Sequence, residues 1–204
     1  MRINKKKFIY LISPNKITKN FYQILNEVLK SDKISFFQMR FKKYSLEKKI
    51  LIGKKIRRMC KKSNVKFIVN DNPILAKKLN ADGCHLGQKD MNIKEAKKII
   101  KGKIIGITCH NSIKLAKEAI KNKANYIAFG AFFPTKTKKA KYKSNIKTLN
   151  KAKKLTNIPI VAIGGITNKN YKKLLLNNAN FLAISGYIWN NKKYKPAEAI
   201  ESLI

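Results

Sequence analysis

Two short apolar runs in the segment FIVNDNPILAKKLNADGCHLGQKD, residues 67–90, each end in side chains able to do chemistry. Asn70 and Asp71 follow Phe67 to Val69, and Gln88 and Asp90 follow Cys84 to Leu86. Between the runs, Pro73 to Asn80 reads as a short helix: Pro is preorganised for a first helical position, while Ile74, Leu75 and Leu79 supply an apolar face. Parallel strands joined by right-handed crossovers finish on one side of their sheet, which brings Asp71 and Asp90 out together, one strand apart. Two carboxylates so placed can hold a divalent metal ion. The same two residues could equally be helix N-caps, a role that Asp commonly takes.

Other run ends carry related chemistry. After Ile34 to Phe37 come Gln38, Met39, Arg40, Phe41 and Lys42, and alternation sends Gln38, Arg40 and Lys42 to one side. An amide and two cations on one rim suit a pyrophosphate. Arg40 could instead pair with a rim acid, but only 10 Asp and Glu stand against 47 Lys and Arg, so an anionic ligand is the better partner. Further along come Thr108-Cys109-His110, then Gly130 to Lys138 with hydroxyls and lysines flanking a turn, then Gly164-Gly165-Ile166 and Ser185-Gly186. Backbone amides opened by glycine after the last strands of a barrel commonly cradle a phosphate. Cys84-His85 and Cys109-His110 repeat one pair and invite a zinc reading. Neighbouring strand residues point to opposite faces, so each pair can offer only one ligand to a shared interior site, and the cysteines read as small packing residues. Either histidine could do acid/base work, with a satisfied structural role the default for His85.

The elements that must position these groups recur at a spacing of roughly twenty-odd residues, apolar runs alternating with Lys-rich amphipathic segments. Strands are expected at Phe8–Ile12, Ile34–Gln38, Phe67–Val69, Cys84–Leu86, Lys103–Ile107, Tyr126–Phe129, Ile158–Ile163 and Phe181–Ile184. Helices are expected from about Asn15 to Leu29, from Ser45 to Lys62 with Leu46, Ile50, Leu51 and Ile56 at helical spacing, and over Pro73 to Asn80. The remainder run from an Asn92/Glu95 capping box toward Gly102, then Asn111–Asn122, Asn145–Leu155, Thr167–Asn177 and Pro196–Ile204. Eight βα units without a long insertion predict an α/β fold, a single (β/α)8 TIM barrel, with residues 1–204 as one domain. A doubly wound open sheet is the runner-up, because periodicity does not show closure.

Composition narrows the function classes. The formal net charge is +37, but the excess is almost all Lys spread along the chain, and Lys, Asn and Ile share AT-rich codons. Most of these lysines read as solvated helix faces whose field favours anionic ligands. No signal peptide is expected, since Phe8 to Ser13 is too short for its apolar region before Pro14, and no apolar run approaches the ~20 residues of a membrane span. Three cysteines without Cys-x-x-Cys spacing fit reduced thiols in a cytoplasmic protein.

Taken together, Gln38-x-Arg40-x-Lys42, Asn70-Asp71, the Ala81 to Asp90 run, Phe133-Pro134-Thr135-x-Thr137-Lys138 and Ala162-Ile-Gly-Gly-Ile166 resemble thiamine-phosphate synthases, from the first strand to the eighth. The resemblance implies a (β/α)8 barrel and a Mg²⁺-assisted transferase of thiamine biosynthesis. Such an enzyme joins hydroxymethylpyrimidine pyrophosphate to thiazole phosphate, giving thiamine phosphate and pyrophosphate. By position, Asp71 and Asp90 look like the Mg²⁺ ligands. Arg40, Lys42, Asn70 and Lys138 look like the pyrophosphate grip, with Gln38 near the pyrimidine. Thr135, Thr137, Gly165, Ile184 and Ser185 look like the thiazole-phosphate site, where Thr108 replaces a common serine. The implied chemistry is dissociative: pyrophosphate leaves, and the thiazole nitrogen captures the pyrimidinylmethyl cation. Family members are often multimeric, so a homo-oligomer is an expectation.

This chain departs from the family pattern at Asn72, where Arg is usual, and at Phe41 in place of a frequent acid and Ala131 in place of Pro. Thiazole tautomerases of the same superfamily use a histidine resembling His110, but tend to lack the complete metal and pyrophosphate set found here. A noncatalytic polyanion or RNA binder is the reading of another class. No aromatic-bearing RNP motif supports it, and neither nucleic acid nor a membrane is expected as a partner.

Overall fold

The computed structural model describes residues 7–135 and 141–203. Eight parallel strands close into a barrel in chain order: β1 (Ile9–Ile12), β2 (Ile34–Met39), β3 (Lys66–Asn70), β4 (Gly83–Leu86), β5 (Ile104–His110), β6 (Tyr126–Gly130), β7 (Ile160–Ile163) and β8 (Phe181–Ile184). Closure is made by β1 on β8, with Ile9, Tyr10 and Leu11 opposite Leu182, Ala183 and Ile184. The expected barrel is therefore the observed one, and the open sheet is excluded.

Alternation along the strands divides the apolar residues into two cores. Tyr10, Ile12, Phe36, Ile68, Tyr126, Ala128, Val161, Phe181 and Ala183 fill the inside of the barrel. The residues between them in sequence, such as Leu11, Phe37, Val69, Cys84 and Ile127, face outward into a larger core beneath the helices. Inside, Phe36 packs edge-on against Phe181 at a ring separation of 5.1 Å, and Tyr10 lies 5.1 Å from Phe36. Gly106 on β5 lacks a side chain where a Cβ would overlap the Tyr126 ring, so this glycine is what allows that tyrosine to turn inward.

The helices are α1 (Phe21–Val28), α2 (Leu46–Lys62), α3 (Pro73–Lys78), α4 (Ile93–Ile99), α5 (Ile113–Lys121), α6 (Ile146–Leu155), α7 (Tyr171–Leu175), α8 (Gly186–Trp189) and α9 (Pro196–Glu201). Nine helices lie among the described residues where the periodicity predicts eight; the addition is the single turn α8, too short to show a period. It is fixed by Trp189, whose Nε1 donates to the Ile12 carbonyl at 2.7 Å. Helix α1 starts six residues later than expected, because residues 13–20 form a loop in which the Ile17 amide donates to the Tyr44 hydroxyl at 2.9 Å. The inward stripe of α2 is Ile52, Gly53, Ile56 and Cys60, whereas Leu46 and Leu51 are 50% and 71% exposed. Ile74 likewise points outward, leaving Pro73, Leu75 and Ala76 as the buried residues of α3.

Candidate active site

Strand β3 ends at Asn70, and the next residue turns sharply: Asp71 has φ 65°, a left-handed conformation that Asp tolerates better than most residues. Its amide donates to the His85 carbonyl at 2.8 Å, tying the turn to β4. Asp90 lies in the turn after β4, where its Oδ2 accepts the Gly87 amide at 2.7 Å. Neither acid caps a helix. That role belongs to Asn72 on α3 and Asn92 on α4, whose side chains accept the Leu75 and Glu95 amides at 2.8 and 3.0 Å. Asn72, the departure from the family's Arg, therefore has a structural task.

The two carboxyls meet at one corner of the barrel mouth. Burial raises the Asp90 carboxyl above the ordinary carboxylate range; the Gly87 amide opposes this, and the neighbouring Asp71 adds to it by charge and by a side-chain hydrogen bond. Lys42 Nζ stands 3.4 Å from Asp71 Oδ2. Met39 and Phe41 pack into the outer core, as alternation requires, leaving Gln38, Arg40 and Lys42 for the mouth side. The Arg40 amide donates to Ser13 Oγ at 2.9 Å, and none of the ion pairs among the described residues involves its guanidinium.

Two acids sharing a corner, the Asp90 carboxyl raised by burial and by its neighbour, have the charge and donor chemistry that a cation site needs. Among the described residues no group of three or more His, Cys, Asp or Glu converges. A pair of carboxylates, which leaves most of the coordination to water and phosphate oxygens, fits Mg²⁺ and does not fit the four-ligand cage of structural zinc. The Cys-His pairs divide as expected: Cys84 and Cys109 lie in the outer core, where burial raises the first thiol and pushes the second up to about 12.

Inside the barrel, below this corner, a line of polar side chains crosses from β2 to β5. Gln38 Nε2 donates to the Tyr10 hydroxyl at 3.0 Å, and the Tyr10 and Tyr126 hydroxyls are 2.8 Å apart. The Tyr126 hydroxyl is 2.9 Å from His85 Nδ1, and His85 Nε2 is 2.8 Å from Thr108 Oγ1. Enclosure among these groups lowers the His85 pKa to about 4, with the Asp90 charge opposing. Burial raises both tyrosines. The default reading of His85 as a satisfied structural histidine agrees with this. Tyr10 and Tyr126 were not legible as site residues, since each sits in an apolar strand run where an aromatic ring is ordinary packing.

On the other side of the mouth, Gly164 and Gly165 have φ 106° and 64°. A Cβ on Gly165 would overlap the Pro134 carbonyl, so the β6–α6 loop lies directly on this turn. The Phe132 and Phe133 amides donate to the Ile163 and Gly164 carbonyls, both at 3.1 Å, and lead into Thr135. Thr137 and Lys138 lie outside the described residues. Ile184 ends β8, buried, and Ser185 Oγ donates to the Ser13 carbonyl at 3.2 Å. Strand β5 runs to His110, three residues past its expected end, which puts Thr108 on the inner wall. His110 stacks on Tyr142 at 4.3 Å.

Comparison with known proteins agrees with this geometry. A family model described as "Thiamine monophosphate synthase" matches residues 9–188. The chain is 66% identical to a thiamine-phosphate synthase of Pelagibacter ubique over the whole of both chains. It is 38% identical to one of Erythrobacter litoralis, covering 96% of this chain and 94% of the relative. Among solved structures, thiamine phosphate pyrophosphorylase from Pyrococcus furiosus superposes with a TM-score of 0.86 at 30% identity, covering 98% of this chain and 94% of that one.

Proposed function

Because the chain belongs to the thiamine-phosphate synthase family and its activity is that transferase activity, we propose how its own residues carry the reaction. Asp71 and Asp90 hold Mg²⁺ at the β3–β4 corner. The observation that carries this is the meeting of the two carboxyls, with the Asp90 carboxyl raised and Lys42 3.4 Å from Asp71. Bound there, Mg²⁺ would neutralise charge on a departing pyrophosphate.

The small-molecule substrates are hydroxymethylpyrimidine pyrophosphate and thiazole phosphate. Arg40, Lys42, Asn70 and Lys138 grip the pyrophosphate, Arg40 being suited by its lack of an ion pair among the described residues. Gln38, on the inner wall, faces the pyrimidine. The Gly164-Gly165 turn, Thr135, Thr137 and the end of β8 at Ile184 and Ser185 take the thiazole phosphate through backbone amides and hydroxyls. Departure of pyrophosphate breaks its C–O bond and leaves the pyrimidinylmethyl carbon electron-poor. The thiazole nitrogen then supplies the electron pair of the new C–N bond. No protein nucleophile is required. The protein's contribution is cations where negative charge develops and a mouth that orients two substrates. Neither tautomerisation by His110 nor polyanion binding has an observation of comparable weight.

The test is formation of thiamine phosphate from the two substrates with Mg²⁺ and with excess EDTA, read as thiochrome fluorescence. Metal-dependent turnover that falls in Asp71→Asn and Lys138→Ala, both folded, supports the assignment of roles. Full turnover in EDTA would overturn the metal reading.

A further inference from the structure

The line of five polar side chains inside the barrel has a direction. Each hydroxyl owns one hydrogen, and a neutral imidazole has one N–H and one bare nitrogen. Gln38 Nε2 donates to Tyr10, so the Tyr10 hydroxyl hydrogen goes to its remaining partner, Tyr126, 2.8 Å away. Tyr126 then accepts from Tyr10 and donates to His85 Nδ1, which must be the bare nitrogen. The ring proton therefore sits on His85 Nε2 and is donated to Thr108 Oγ1. At the two ends, the Gln38 Oε1 lone pairs and the Thr108 hydroxyl hydrogen remain, with no partner among the described residues.

Only one other arrangement satisfies every group. Reversing Gln38 reverses Tyr10, Tyr126 and His85 in turn, so that Gln38 presents NH₂ and Thr108 presents a lone pair. Mixed arrangements leave either a buried hydroxyl hydrogen without an acceptor, which costs about 1–3 kcal/mol, or the Tyr10 and Tyr126 oxygens 2.8 Å apart with no hydrogen between them. The chain is thus a two-position device, and its observed position is the one with the Gln38 carbonyl outward.

We propose that Tyr10, Tyr126 and His85 are positioning residues that lock Gln38 as a hydrogen-bond acceptor toward the pyrimidine, and so set selectivity for a 4-amino over a 4-oxo ring. This rests on the placement of Gln38 at the pyrimidine. A 4-amino group donates to the Gln38 carbonyl. A 4-oxo ring presents an acceptor at the same point and would face a lone pair, unless all five groups reversed together. Sites built around a fixed polar partner discriminate far more strongly than apolar pockets do.

The experiment is the ratio of kcat/KM for the 4-amino pyrimidine pyrophosphate and its 4-oxo analogue in the wild type, Gln38→Ala, Tyr126→Phe and Tyr10→Phe. Removing the Tyr126 hydroxyl orphans the Tyr10 hydrogen, which is satisfied only if Gln38 turns its carbonyl inward. The expected result is a fall of about tenfold or more in the amino-to-oxo ratio for Tyr126→Phe, with the KM for thiazole phosphate unchanged. A purely structural role would move both substrates together. If Gln38→Ala changes the ratio and neither tyrosine variant does, Gln38 stands at the pyrimidine and the wire is overturned. If Gln38→Ala leaves the ratio alone, the placement of Gln38 fails and the proposal fails with it. Should Tyr126→Phe not fold, the wild type decides through the ¹⁵N signals of His85 near neutral pH. The Nε2–H tautomer supports the wire, and the Nδ1–H tautomer overturns it.

Discussion

The two halves of the barrel mouth are built from different materials. From β2 to β5 the candidate site consists of side chains: Arg40, Lys42, Asp71, Asp90 and the two ends of the interior line, Gln38 and Thr108, which Tyr10 of β1 and Tyr126 of β6 join through His85. From β6 to β8 the described part is mainly backbone, a left-handed Gly164-Gly165 turn with the 131–135 loop seated on it. In the first half, an isosteric change of side chain should alter chemistry and leave the fold. In the second, any added atom should alter shape first.

The largest expected effect tests the first half. Asp71→Asn and Asp90→Asn each keep the volume of the residue and remove a carboxylate, and turnover should fall by about 10²–10³-fold. Added Mg²⁺ should also cease to raise the thermal midpoint of the variants, as it should for the wild type by selective binding to the folded state. Retention of both activity and the Mg²⁺-dependent shift in either variant would move the metal elsewhere. Next in size is Gly165→Ala. A left-handed non-glycine residue and an overlap with the Pro134 carbonyl together cost about 2–4 kcal/mol of stability. The KM for thiazole phosphate should rise more than that for the pyrimidine substrate, and a fully stable Gly165→Ala would erase the contrast between the halves.

That contrast also decides what could be read before the structure was known. Asp71, Asp90, Arg40 and Lys42 were legible because their residue types are rare or costly at strand ends, and parallel βα order alone puts them on one rim. The barrel itself followed from counting eight apolar runs. The second half was legible only as a Gly-Gly dipeptide, because its content is φ values and a close approach of two loops, which no side chain announces. Helix faces were the weakest readings. Leu46, Leu51 and Ile74 fit a helical period yet lie exposed, since which apolar stripe turns inward depends on where the sheet lies. Helix α8 escaped because one turn has no period. The two tyrosines of the interior line were hidden by their apolar neighbours, and Gly106, whose missing side chain admits Tyr126, reads in sequence only as a weak point in a strand.

A third measurement places the interior line between these extremes, since it is made of side chains that are buried at Tyr10, Gln38 and Tyr126 and half-buried at His85 and Thr108. His85 titrates at about 4 in the folded protein, below the ordinary histidine value near 6.5. The unfolded chain thus takes up a proton that the folded protein refuses. The stability this contributes is complete above about pH 6.5 and is lost as the pH falls toward 4, by at most about 3 kcal/mol. Asp90 works in the opposite sense, because its raised carboxyl favours the folded state when protonated. The two are separated by comparing the pH dependence of unfolding in the wild type and His85→Gln, where the steeper acid-side decline should belong to the wild type. Parallel curves would mean that solvent at the mouth already relieves the ring.

The smallest expected effect lies at the boundary, one residue beyond Asp71, the proposed metal ligand. Asn72 caps α3 by accepting the Leu75 amide at 2.8 Å, so Asn72→Ala should cost about 1 kcal/mol, or roughly 2–4 °C in thermal midpoint. Turnover should stay within about twofold, because the Asn72 side-chain oxygen is engaged by the Leu75 amide. Asn72→Asp should restore the stability, since a carboxylate caps as well as an amide. It should also change the Mg²⁺ concentration needed for half-maximal rate, because it adds a negative charge beside Asp71. If Asn72→Ala instead lowers turnover tenfold at an unchanged thermal midpoint, the residue that replaced the family's arginine acts on the substrate, and the side-chain half of the mouth extends one residue further than the hydrogen bonds indicate.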